Sequence, residues 1–497
     1  MQDRITVPPT WRESQAKKGR EHMKKRASSR APSRSQDLWR QSATTLAALI
    51  RSGEVSSREV VDAHLARIEA VNPTLNAVTV MLRTSAREAA DAADAHRKKT
   101  GKRDLPPLHG VPITVKENID CVGTPTTFGL AANANALPEQ DAPVVERMRA
   151  AGAIPIGRTN MPEMGLRVST SNPYRGLTRN PWNAQLTAGG SSGGEGSAVA
   201  SGMSPLGIGN DIGGSLRNPA FCCGVAALKP TQGRVPFGSS GDGYLSAQVM
   251  LTDGPIARSV DDLRLVLEQV NGQHVRDPRS VTVALEGPPV ARRVAMVTSL
   301  PGSVVDPAIV ASVRAAGDAL AAAGYQVEEA IPPEIELINH LWTQFQMSDL
   351  SVTAESMRPM LSAEAAMLMD ALITKIDPTV THALLHQERS RLGRAWSAFF
   401  AHYPIVLGPV WPSAPFAHDA DVATPVGGDL MLSMQWFVTP GNLLGIPAAV
   451  VPTQPINNAP MTVQLYADRF RDDLVLEAAE TIEAAFGPCT PVDPFVV

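Results

Sequence analysis

The sequence predicts an α/β layer fold, one large domain carrying insertions, and three observations predict it. Helical and strand-like spacings alternate along the chain, the short apolar runs read as strands buried in a sheet, and no internal repeat of constant period interrupts the pattern. The helical entry comes first. Thr44 to Arg51 and Ser56 to Val71 have helical spacing, with Ser57 placed as a cap three residues before an apolar position. Thr84 to Lys99 follows as helix, Val111 to Val115 as strand, Pro143 to Ala151 as helix and Ala153 to Gly157 as strand. A glycine-rich region then encloses the apolar run Ser204 to Ile208, which reads as a buried strand, and a helix start is expected at Leu216 to Pro219. Further on come Val260 to Val270 (helix), Arg293 to Thr298 (strand) and Asp306 to Ala323 (helix). Ile405 to Gly408 and Ala448 to Val451 read as buried strands, and Asp472 to Phe486 as a closing amphipathic helix. The one weak boundary, Asn271 to Pro289, is followed by strands in the same style, so the domain is read as 37–497.

Residues 1–36 differ from the rest. They carry Lys17, Lys18, Arg20, Lys24, Lys25, Arg26, Arg30 and Arg34 with hardly any apolar periodicity, and are expected to be a disordered basic tail. Asp3, Glu13 and Glu21 and the lack of an apolar stretch argue against a transit or secretory leader, and Met23 is an alternative start. A net charge of −4 and a pI near 6.2 give no general attraction to nucleic acid or anionic lipid. Cys121, Cys222, Cys223 and Cys489 are too sparse for a disulfide framework and form no metal-type pair; the adjacent Cys222 and Cys223 read as buried packing groups. A soluble cytoplasmic protein without membrane spans or cofactor is expected, either a monomer or a homo-oligomer.

The chemistry concentrates in two glycine clusters and one lysine. Thr187 to Gly196 contains Ser191 and Ser192, and Gly209 to Ser215 contains Asp211, Ile212, Gly213 and Gly214. A serine hydroxyl needs a base within hydrogen-bond reach. The histidines, among them His109, His274, His340, His382 and His386, are scattered and form no pattern with a glycine-flanked serine. A lysine can serve instead when burial disfavours its ammonium form. Lys116 follows the apolar Val111 to Val115, so it should emerge at the C-terminal edge of a buried strand, where α/β folds place their sites. Gly213 and Gly214, just before a helix start, free backbone N–H groups to converge on an oxyanion. Gly189 to Gly193 also satisfies GxSxG, but the polar turn Asn180 to Gln185 precedes it where a nucleophile elbow needs a strand.

With these residues in view the sequence resembles the amidase signature family. Its signature runs from Gly189-Gly-Ser-Ser-Gly-Gly through Gly213-Gly-Ser215 to Gly224-Val-Ala-Ala-Leu-Lys-Pro-Thr231, supported by Leu108 to Asn118, Gly157 to Glu163 and Asn442 to Pro447. Ser191 stands 24 residues before Ser215, and Lys116 75 before Ser191, as the family's Ser-cisSer-Lys triad requires. The resemblance implies an α/β/α sandwich around a large mixed sheet. It makes Ser215 the nucleophile, Ser191 a bridging serine after a cis Gly190–Ser191 peptide, and Lys116 the neutral base. It also implies an oxyanion hole from the N–H groups of Ile212, Gly213, Gly214 and Ser215, with Ser192, Asp211 and Arg217 bracing the loop. Asn210 stands where the family often has threonine, and Ala188 where proline or glycine is commoner; neither is expected to touch the triad.

The resemblance implies a small-molecule amide or carbamate as substrate. Some relatives cleave amides, others esters or aryl carbamates, including urethanases and aryl acylamidases. Trp342, Phe345, Met347, Met357, Met360, Met367 and Met369, then Met431, Met434, Trp436 and Phe437, are a hydrophobic stock that favours bulky apolar or aromatic groups. Two other classes stay open: a glutamine-hydrolysing amidotransferase subunit that works with a partner protein, and a non-catalytic anion-binding protein.

Overall fold

The computed structural model describes residues 38–238, 244–300, 302–423, 426–456, 459–489 and 491–495. The basic stretch 1–36 lies outside the described residues. Residues 38–497 gather around eleven strands: β1 Val78–Met81, β2 Pro112–Lys116, β3 Ile154–Thr159, β4 Leu206–Asp211, β5 Ala226–Lys229, β6 Thr252–Ala257, β7 Arg293–Met296, β8 Gln326–Glu329, β9 Ile405–Gly408, β10 Ala448–Pro452 and β11 Thr462–Tyr466. Among the described residues they form a single sheet in the order β1-β3-β2-β4-β6-β5-β10-β11-β9-β7-β8. The sheet is mixed: β2 runs parallel to β3 and β4, and β7 parallel to β8 and β9, while the other pairs are antiparallel.

Because side chains alternate across a strand, each strand supplies two faces, and both are covered through the middle of the sheet, while the edge strand β8 is exposed. Ile113, Val115, Leu206, Ile208, Leu228, Val451 and Leu465 pack on one side, with residues from the helices Ala43–Ser52, Pro143–Ala150, Val260–Val270, Pro307–Ala322 and Asp472–Phe486. The opposite face, including Ala227, Ile256, Val450, Ala448 and Tyr466, meets the helices Gly193–Ala200, Arg217–Cys223, Ile335–Met357, Ala363–Ile373 and His382–His402. This is the expected α/β/α sandwich. No helix among the described residues is long and apolar enough to cross a membrane.

Local differences have local causes. The second helix begins with Ser56 as its cap, one residue before the Ser57 expected: Ser56 Oγ accepts the Glu59 N–H, while Glu59 accepts the Ser56 N–H at 2.8 Å, closing a capping box. Helix Gly193–Ala200 carries three glycines because it lies too close to its neighbours for side chains there. A Cβ on Gly194 would stand 2.5 Å from the backbone N and O of Asn160. Strand β2 runs one residue further than its apolar run and takes in Lys116 as its last residue.

Candidate active site

Strand alternation decides where Lys116 points. Ile113 and Val115 face one helical layer, so Thr114 and Lys116 face the other, toward the glycine-rich helix 193–200. Thr114 Oγ1 donates to Glu195 on that helix at 2.5 Å. Because β2 and β4 are parallel neighbours, with Val115 opposite Ile208, the end of β2 and the loop leaving β4 at Asp211 share one sheet edge. The helix 193–200 leads back into β4 and brings Ser191 and Ser192, just before its start, to the same edge.

There Lys116 Nζ donates to Ser191 Oγ at 2.7 Å and to Asn210 Oδ1 at 2.8 Å. Lys116 is fully buried, and burial pushes its ammonium down from 10.5 to about 7 against the opposing pull of Asp211, Asp253 and Glu195. The Gly190–Ser191 peptide is cis. Ser191 is 4% exposed and Ser215 7%, and both open onto one cavity of about 600 Å³ together with Asn210, Ile212 and Gly213. The Ser192 N–H donates to the Ser215 carbonyl at 3.3 Å, and Ser192 Oγ donates to the Asn210 carbonyl at 3.3 Å, tying the two glycine loops together.

The loop 211–217 is held by a buried ion pair. Arg217 donates to both oxygens of Asp211, at 2.9 and 3.0 Å, and to Asn442, Gln464, Tyr466 and the Val438 carbonyl. Burial raises the Asp211 carboxyl, but Arg217 overcomes it and holds the group well below the usual carboxylate range. Asp211 in turn accepts the N–H groups of Gly214 at 2.8 Å and Leu216 at 3.2 Å. Here the structure corrects one expectation. The Gly214 N–H is bonded to a carboxylate and Gly214 does not line the cavity, whereas Ile212, Gly213 and Ser215 do.

A second correction concerns Asn210, expected to leave the triad untouched. It is a direct partner of Lys116, and its Oδ1 also accepts from Asn118 at 3.3 Å. Three buried groups around the site, Asn218, Glu195 and Asp253, carry no signal in the sequence. Asn218 Nδ2 donates to the Gly190 and Gly213 carbonyls at 3.3 Å, and its Oδ1 accepts from Trp411 at 2.8 Å, so one side chain spans both loops. Glu195 and Asp253 are buried carboxyls pushed up to about 7 by that burial, with Lys116 opposing the shift. Standing among glycines and prolines, they follow no spacing that marks them in the sequence.

The hydrophobic stock divides. Trp342, Met347, Met357 and Met431 line the cavity. Phe345, Met369, Met434 and Phe437 are buried in helix packing without lining it, Met360 and Met367 are 40% and 47% exposed, and Trp436 is half-buried on the far side of Gln435. Phe128, Leu137, Met164, Phe237 and Tyr244 complete the apolar wall from segments whose sequence carried no such signal. No histidine lines the cavity among the described residues. Cys222 and Cys223 are fully buried, and burial raises both thiols.

Comparison with known proteins places this geometry in a family. The family model described as Amidase matches residues 59–476. The chain is 42% identical over 459 residues to the indoleacetamide hydrolase of Bradyrhizobium diazoefficiens, covering 90% of this chain and 87% of the relative. It is 33% identical to the acylamidase of Rhodococcus erythropolis, covering 93% and 99% of the two chains. A solved structure of 6-aminohexanoate cyclic dimer hydrolase with its substrate superposes with a TM-score of 0.80 at 30% identity, over 92% of this chain and 99% of the other. With its sheet, its paired glycine loops and its matched length, the chain belongs to the amidase family of amide hydrolases.

Proposed function

We propose that the chain hydrolyses amides bearing bulky apolar or aromatic groups, and aryl carbamates of similar shape, through a serine acyl-enzyme. One observation carries the proposal: a fully buried lysine whose ammonium is pushed down to about 7 stands 2.7 Å from Ser191 Oγ, at the edge of the cavity that also holds Ser215. A lysine poised near neutrality spends much of its time as an amine, and an amine accepts a proton where an ammonium cannot.

In this reading neutral Lys116 takes the Ser191 hydroxyl proton as Ser191 takes that of Ser215, and Ser215 Oγ adds to the substrate carbonyl. Negative charge forms on the carbonyl oxygen, facing the N–H groups of Ile212, Gly213 and Ser215; each such donor contributes about 3–4 kcal/mol to transition states of this kind. The C–N bond breaks as the proton returns through Ser191 to the leaving nitrogen, so an amine departs and an ester to Ser215 remains. Water then gives its proton to the same chain, adds to the ester and releases the carboxylic acid, restoring Ser215. For a carbamate the acid released is a carbonic half-ester, which loses carbon dioxide.

The names of the relatives support the apolar class. An indoleacetamide hydrolase and an acylamidase are proteins named for amide substrates, and the cavity walled by Trp342, Phe128, Phe237, Tyr244 and several methionines has room for an aromatic ring. The test compares kcat/KM for an aryl amide and an aryl carbamate that share one leaving amine, with Ser215→Ala as the blank. Turnover of either that vanishes in Ser215→Ala supports the proposal. Turnover that persists in that variant contradicts it.

A further inference from the structure

Two side chains outside the glycine signature grip the loop that faces the developing negative charge. Trp342, on helix Ile335–Met357, donates its indole N–H to the Ile212 carbonyl at 2.8 Å. Gln435 donates to the Gly213 carbonyl at 3.0 Å, where Asn218 also donates at 3.3 Å. Both side chains are nearly buried, and both line the cavity. Contact over Gly213 is tight enough to exclude any larger residue: an added Cβ would collide with the Trp342 ring and stand 3.3 Å from Gln435.

Peptide planarity turns this grip into an orientation. In a trans peptide the C=O and the following N–H point in opposite directions, so anchoring the Ile212 carbonyl aims the Gly213 N–H away from the indole. A bond accepted at the carbonyl also polarises the peptide and strengthens its N–H as a donor. The neighbouring peptide is fixed differently. Its carbonyl is shared by Gln435 and Asn218, and its N–H, that of Gly214, is bonded to Asp211. The Gly213 N–H is therefore the donor whose direction depends on one side chain from outside the loop.

We propose that Trp342 is a positioning residue for amide hydrolysis, aiming the Gly213 N–H at the oxyanion through its bond to the Ile212 carbonyl. The inference rests on the reading of Ser215 as nucleophile and adds a consequence to it. The wall that receives the substrate's apolar group also sets an electrostatic donor, so binding and chemistry are linked through one side chain.

The experiment uses Trp342→Phe and, as a closer isostere, Trp342 replaced by β-(3-benzothienyl)alanine, which exchanges only the indole N–H for sulfur. For each, kcat and KM are measured on a phenylacetyl anilide. Inhibition is measured with a phenylalkyl trifluoromethyl ketone, which adds to a serine to form an oxyanion, and with the matched secondary alcohol, which does not. Full loss of one oxyanion donor costs roughly 10²–10³-fold in kcat, so misdirecting one should cost about 10–100-fold. The account expects that fall in kcat with KM nearly unchanged, ketone affinity lost in proportion to kcat/KM, and alcohol affinity retained. Equal loss of ketone and alcohol affinity, or unchanged kcat in the sulfur isostere, would overturn it. Ser215→Ala is run alongside: if it stays active, the reading of the site fails, whereas an inactive Ser215→Ala beside a fully active isostere removes only the role of Trp342.

Discussion

Lys116 acts in this account as a neutral amine, which makes its pH dependence a prediction with a definite sign. Burial brings its ammonium to about 7, so kcat/KM should rise with pH through that value and level off above it. A pH profile whose acid limb sat near 4, or that rose only near the ordinary lysine value, would contradict the role. Stability follows from the same shift. Between about 7 and 10.5 the unfolded chain holds a proton on Lys116 that the folded chain has released, so this group's contribution to stability improves as pH rises across that interval and is least favourable below it. Lys116→Met should therefore raise the denaturation midpoint at about pH 6 and lose that advantage by about pH 10. Glu195 and Asp253, pushed up to about 7, are largely protonated at the lower pH and lose little when the lysine goes. An equal effect of the substitution at both pH values would count against a buried, depressed amine.

At the scale of the element, the glycine-rich helix is where propensity and packing disagree. Glycine is about 1 kcal/mol worse than alanine inside a helix, so propensity alone says Gly194→Ala stabilises. Packing says the reverse, because the new methyl would meet the backbone of Asn160 at 2.5 Å. Overpacking against backbone costs about 1–3 kcal/mol or more, so a net loss of stability is expected by denaturant melt, and a gain would show that the helix stands off from Asn160. The same competition explains what could be read from the sequence. β2, β9 and β10 were legible as short apolar runs, and the helices 260–270 and 472–486 by their apolar stripes. β6, Thr252 to Ala257, carries Asp253, Gly254 and Pro255 and was missed, since turn residues lie in a strand whose place is set by its neighbours β4 and β5. The exposed β8, with the pattern Gln-Val-Glu-Glu, had no apolar signal to find. Ser191, Ser215, Lys116, Asp211 and Arg217 stand out in the sequence as candidates because a signature places them at set intervals in the chain. Asn218 did not stand out, and Trp342 did so only as an apolar residue, because the loop carbonyls they bond to are met only after folding.

For the molecule as a whole, one sheet edge gathers the polar groups while the helical insertions supply an apolar chamber beside them. An aromatic ring buries roughly 150 Å², worth about 3–4 kcal/mol at about 25 cal/mol per Å². An arylacetanilide should thus exceed plain acetanilide in kcat/KM by about 10²–10³-fold, measured at equal leaving amine. Parity between the two would mean that the cavity of about 600 Å³ does not receive the acyl group. The central claim remains the acyl-enzyme on Ser215. The most direct measurement is peptide mass spectrometry after reaction with an aryl carbamate that deacylates slowly. The account predicts one alkoxycarbonyl adduct, a carbonate ester on Ser215 formed as the amine leaves, at a rate that falls when Lys116 is replaced. An adduct on Ser191, or steady turnover with no adduct on either serine, would contradict it.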